Sequence, residues 1–141
     1  MPWWLQTSRH GAIASHIIKL KGLKAFGDVD VLAWSRARGR VLVIECKDLH
    51  YRKTEGEIAE QLADFRGQPR SNGKPDDLLK HLNRVDVISK NLAAVMKFTD
   101  LDQPPKVESH LVFRHPVPML FARERMKKRV TLHTFAELGS L

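Results

Sequence analysis

Residues 27–48, GDVDVLAWSRARGRVLVIECKD, constrain this chain more than any other stretch. Two short β-branched and apolar runs, Val31-Leu32-Ala33-Trp34 and Val41-Leu42-Val43-Ile44, flank the basic segment Ser35-Arg36-Ala37-Arg38-Gly39-Arg40. Runs of this kind joined by a short segment containing glycine read as a β-hairpin. If the hairpin pivots between Ala37 and Arg38, antiparallel pairing sets Trp34 opposite Val41, Leu32 opposite Val43 and Asp30 opposite Glu45. The two-residue period of a strand places these residues and Lys47 on one face. Lys47 then follows Glu45 by roughly 7 Å along the strand. Asp28 shares this parity and lies opposite Lys47, so it competes with Asp30 as the acidic partner.

Opposed carboxylates among apolar neighbours repel one another and are costly to desolvate. A divalent cation relieves both problems. Mg²⁺ suits the donors, because it binds through one or two carboxylates, keeps several waters and shares them with a phosphate. A lysine alongside can hold or polarise a water against that phosphate. The bland alternative is a structural Asp–Lys or Glu–Lys pair at the end of a sheet.

Asp30 ahead of an apolar strand, followed by Val43-Ile44-Glu45-Cys46-Lys47, resembles the PD-(D/E)XK nuclease superfamily, in particular the small Holliday-junction-resolvase-like members. The motif covers about 20 residues and departs from the pattern in having Val29 before Asp30 where that superfamily often has proline. The resemblance implies a restriction-endonuclease-like α/β/α sandwich with a central mixed sheet, here with an extra long helix. It also implies a Mg²⁺-dependent nuclease acting on DNA, with Mn²⁺ as a substitute. Asp30, Glu45 and the Cys46 main-chain carbonyl would hold the metal, while Lys47 would orient the attacking water. Gln61-Leu62-Ala63-Asp64-Phe65 is similar to the QxxxY element of RecB-like nucleases, with Phe65 in the tyrosine position. Gln61 enters the expected catalytic set on that basis. The first helix of such nucleases often supplies a further Glu, which this chain lacks. A resolvase would additionally require a symmetric homodimer, and a catalytically silent nucleic-acid-binding or assembly module is the rival from a different class.

The 141 residues suffice for one domain, residues 1–141, and carry a net charge of +8 that favours polyanionic partners such as nucleic acid. The single cysteine, Cys46, excludes an intrachain disulfide framework and suits a reducing cytoplasm. It points away from the proposed site and is expected in the core. No stretch approaches the roughly 18 apolar residues of a membrane helix, so no membrane partner is expected. The chain also fits a module of a longer protein whose other domains choose the target.

Elsewhere, Trp3 and Trp4 are expected to pack under the domain or at an interface. An amphipathic helix is expected from Ser8 to about Lys24, and a short strand around Leu23 to Phe26. Apolar residues on both faces of the hairpin call for a sheet covered on both sides. Thr54 and Glu57 form a capping box for a helix to about Arg66 that turns Ile58, Leu62 and Phe65 inward. A loop, residues 67–75, brings Arg70 and Lys74, which are expected to grip a phosphate backbone, with a plain connector as the alternative. The longest helix is expected from Asp76 or Asp77 to about Phe98, with Arg84 on its solvent side. Strands follow near Val107 to Phe113 and Val130 to His133. The cluster at Lys127, Lys128 and Arg129, with Arg36, Arg38 and Arg40, is the expected phosphate-contacting surface.

Overall fold

The computed structural model describes residues 10–13 and 23–140, with side chains described between residues 25 and 138. Trp3, Trp4 and residues 14–22 lie outside this range. β1 (His10–Ile13), β2 (Val31–Ser35), β3 (Arg40–Lys47), β4 (Lys106–Phe113) and β5 (Thr131–Thr134) form one sheet in the order β1-β2-β3-β4-β5. β1, β2 and β3 pair antiparallel, whereas β3–β4 and β4–β5 are parallel. The central hairpin has the register expected from its sequence: Trp34 faces Val41, Leu32 faces Val43 and Val31 faces Ile44. Gly39 closes the turn with φ +58°, and its N–H donates to the Arg36 carbonyl at 3.2 Å.

Helices α1 (Glu55–Ala63), α2 (Asp77–Lys90), α3 (Leu92–Thr99) and the short α4 (Arg123–Met126) complete the architecture. On one sheet face, Leu32, Val41 and Val43 pack with Ile88 of α2 and Val95 of α3. The same face continues across β4 and β5, where Leu111, Phe113 and Leu132 meet Leu78 and Phe65. The opposite face buries Ala33, Leu42, Ile44 and Val112, with Leu138 packed against them. Removing a side chain such as Leu32 or Val43 from water stabilises the fold by ~1.5–3 kcal/mol. The result is a mixed α/β fold with a mixed sheet buried on both faces, consistent with an α/β sandwich.

Three local expectations change. His10–Ile13 is the edge strand β1 and Leu23–Phe26 is a 3-10 turn, so the helix expected from Ser8 does not include its first residues and the short strand is absent. The register of β1 on β2, Gly11 opposite Trp34 and Ala12 opposite Ala33, is a long-range choice that helical periodicity cannot show. The expected long helix is broken at Asn91 (φ −121°, ψ 40°), whose Nδ2 donates to the Val87 carbonyl at 2.7 Å. Asparagine competes for backbone partners in this way and favours helix ends. The third change is in α1. It has the expected capping box at Thr54 and Glu57 but ends at Ala63, and it leaves Leu62 exposed.

Candidate active site

β2 begins at Val31, but its partner β3 continues past Ile44 to Lys47. Among the described residues the end of β3 therefore has no ladder neighbour on that side, and the exposed Asp30 lies there. Its Oδ2 accepts the Cys46 N–H at 2.8 Å. Successive residues of a strand aim their amide groups alternately to its two sides. The Lys47 carbonyl accepts from the Arg114 N–H at 3.0 Å, on the β4 side. The Cys46 carbonyl thus faces the Asp30 side, outside the ladder.

Glu45 is 5% exposed. Lys47 Nζ folds back to within 2.9 Å of its Oε1, and the Arg84 guanidinium donates to its Oε2. Arg84 is 8% exposed, contrary to the solvent position that helical periodicity suggests. It reaches from α2 beneath the sheet and also donates Nε–H to the Phe26 carbonyl at 2.7 Å. Gly27 makes room for it. With φ +80° its backbone favours glycine, and a Cβ there would lie 3.3 Å from an Arg84 nitrogen. Buried carboxylates need such partners, since desolvation without compensation costs several kcal/mol.

One helical turn before Arg84, His81 is buried and lies 2.9 Å from the Ser109 hydroxyl through Nε2. Burial, reinforced by the positive charges of Arg84 and Lys47, lowers its pKa to about 3. On the opposite sheet face, burial lowers His110, 3.0 Å from His133, to about 4. Both histidines are therefore neutral in the fold while titrating near 6.5 when unfolded. Their stabilising contribution is complete above that value and declines as the pH falls toward the folded values. Each should make stability fall by about 1.4 kcal/mol per pH unit below pH 6.5. Urea unfolding at pH 7.5 and pH 5 checks this, and His81→Gln should flatten the dependence by about one proton.

Of the expected site residues, Lys47 meets Glu45, and Asp30 reaches the backbone N–H of Cys46 between them. Asp28 is exposed and precedes the strand. Cys46 departs from expectation because it is exposed rather than in the core. Desolvation of its sulfur against the sheet, with the charges of Asp30 and Glu45, pushes the thiol pKa up, so it is a poor nucleophile. Gln61 is buried, and its Nε2 donates to the His50 carbonyl at 3.4 Å. No hydrogen bond joins it to Glu45 or Lys47 among the described residues.

Many of the expected phosphate-binding cations have protein partners. Arg36 pairs with Asp100, Arg40 with Glu108, Arg70 with Asp64 and Asp77, and Lys127 with Glu124. Arg129 donates to the Arg66 and Gly67 carbonyls. Lys128 lines a groove with Lys106 at the starts of β5 and β4. The Arg36–Arg40 turn lies at the far end of β3 from Lys47, roughly 20 Å away along the strand. Arg38 belongs to that turn, and Lys74 to the loop before α2.

Asp30, Glu45 and the Cys46 carbonyl are hard oxygen donors of the kind Mg²⁺ takes when water or phosphate completes its sphere. Asp30 turns its Oδ2 to the Cys46 N–H. Among the described residues no group of three or more His, Cys, Asp and Glu side chains could hold a metal. Sequence reasoning missed Arg84, whose only local signal is its place one turn after His81 on α2.

The family model for the anti-phage protein Upx-like family matches residues 5–135. The chain belongs to this family. No curated protein and no solved structure matches it. Among the described residues no helix is long and apolar enough to cross a membrane.

Proposed function

We propose that this Upx-like chain is a metal-dependent nuclease that hydrolyses phosphodiester bonds in phage DNA. The observation that carries the reading is the Glu45–Lys47 pair beside Asp30, which holds the Cys46 N–H at the end of β3 that β2 no longer covers. Asp30, Glu45 and the Cys46 carbonyl would hold Mg²⁺ or Mn²⁺. When bound, such an ion supplies Lewis-acid activation of water and neutralises phosphate charge. Lys47 orients the attacking water, helps remove its proton and stabilises negative charge growing on the phosphate oxygens. Arg84 acts beneath this set as a positioning residue, fixing the Glu45 carboxylate from the buried side. Membership in an anti-phage family supports nucleic acid of an invader as the target, and the basic excess of the chain supports a polyanionic substrate.

One observation favours a second reading, a catalytically silent nucleic-acid-binding module. Arg84 and Lys47 already compensate the Glu45 charge without a metal. Calorimetric titration with Mg²⁺ and Mn²⁺, beside cleavage of supercoiled plasmid and labelled branched, duplex and single-stranded DNA, separates the two. The nuclease should cut with metal, stop in EDTA, and lose metal binding in Asp30→Asn. Absence of Asp30-dependent binding of either ion would decide for the silent module.

A further inference from the structure

Three residues after Lys47 the chain enters a cleft of about 530 Å³ between α1 and the Pro118–Ala122 turn. This volume is in the range of small-molecule sites. Gln61 and Arg123 line it, as do Val117 and Pro118. Two buried polar atoms of these residues have no hydrogen-bond partner among the described residues: the acceptor Gln61 Oε1 and the donor Arg123 Nε–H, whose Nη2 holds the Glu137 carboxylate. Gln61 is 6% exposed, so its orphaned oxygen is costly unless a ligand or water meets it. At the rim stand two aromatics that a monomer has no reason to leave in water, Phe121 at 98% exposure and Tyr51 at 82%.

A cleft lined by the Gln61 amide and the Arg123 guanidinium under an aromatic rim suits a nucleobase. Every base offers an adjacent donor and acceptor on its Watson–Crick edge, and every base has a face that stacks on an aromatic ring. In a duplex that edge is already used. We infer that this cleft binds one unpaired base of a nucleic-acid strand, with Gln61 and Arg123 reading its Watson–Crick edge and Phe121 or Tyr51 stacking on its face. The cleft starts within about 10 Å of chain from Lys47, so the captured base would sit beside the phosphate to be cut. The placement beside that phosphate rests on the nuclease proposal, whereas binding of the base does not. It gives Gln61 a substrate-binding role rather than contact with Lys47. Because every base presents such an edge, the cleft selects unpaired strands rather than a sequence.

The test is fluorescence anisotropy on the full chain in EDTA, where no metal-dependent cutting can intervene. The probes are a labelled single-stranded oligonucleotide, the same strand with abasic sites, and a blunt duplex. The base-bearing strand should bind ~5- to 100-fold more tightly than the abasic strand, in the range of stacking on an aromatic side chain. Phe121→Ala, a surface change, should remove most of that difference, and Gln61→Leu part of it, while leaving abasic binding unchanged. Equal binding of base-bearing and abasic strands, equal binding of duplex, or no binding would overturn the proposal. Displacement by a free mononucleotide as tight-binding as the strand would overturn it in favour of a free-nucleotide site. Failure of metal-dependent cutting with base discrimination intact would instead count against the nuclease reading alone.

Discussion

Lys47→Ala should lower metal-dependent DNA cleavage by about 10³-fold, equivalent to ~4 kcal/mol of transition-state stabilisation. Lys47 ends β3, and its Nζ lies 2.9 Å from Glu45 Oε1. Its charge is therefore held where a phosphate would meet the two carboxylates. Alanine removes that charge without touching the core, since the β3–β4 pairing at Lys47 and Phe113 is made by the backbone. Metal affinity should persist, because Asp30 and the Cys46 carbonyl are unchanged and Glu45 keeps Arg84. Single-turnover cutting rates beside calorimetric Mg²⁺ titration give both numbers. Retained cutting in the variant would remove Lys47 from the chemistry, and loss of metal binding together with cutting would point to a collapsed site.

Arg84→Met should cost ~3–5 kcal/mol of folding stability, a large share of the ~5–15 kcal/mol that holds a domain together. The substitution keeps the length of the stem but strands two acceptors: a Glu45 oxygen and the Phe26 carbonyl. Lys47 still meets Glu45 from the open side, so compensation is partial. The conservative partner change tests the cause. In Arg84→Met with Glu45→Gln, no buried charge is left alone, and the double variant should recover part of the loss. A cycle from urea unfolding should give a coupling of ~1–3 kcal/mol, typical of residues in one network. Additive effects would mean that Arg84 contributes only by packing its stem.

The central hairpin was legible because alternation is local. Once Val31–Trp34 and Val41–Ile44 are strands joined by a turn at Arg36–Gly39, strand parity sets their register and puts Glu45 and Lys47 on one face, although the observed pairing ends at Val31 and Ile44 and Asp30 lies beyond it. The capping box at Thr54 and Glu57 was legible for the same reason, since both partners lie within one helical turn. The continuous helix through Asn91 failed locally, because an apolar stripe persists across a break that an asparagine amide makes. Cys46 failed in another way. Its parity was right, but at the end of a strand the facing neighbours run out and the side chain meets solvent.

The sequence by itself determined which residues share a strand face, and with it the Glu45–Lys47 pair, because periodicity and turn position act over a few residues. Only the tertiary structure decided which charges meet across the chain. Arg84 stands 39 residues from Glu45, and no pattern joins them until α2 docks under the sheet. Arg36, Arg40 and Arg70 are each expected from the sequence to meet phosphate, yet each finds a carboxylate partner in the fold. The cleft with Gln61 and Arg123 likewise exists only where α1 meets the turn before α4. Long-range charge pairing depends on the docking of whole elements, which buried apolar area drives and local sequence does not encode.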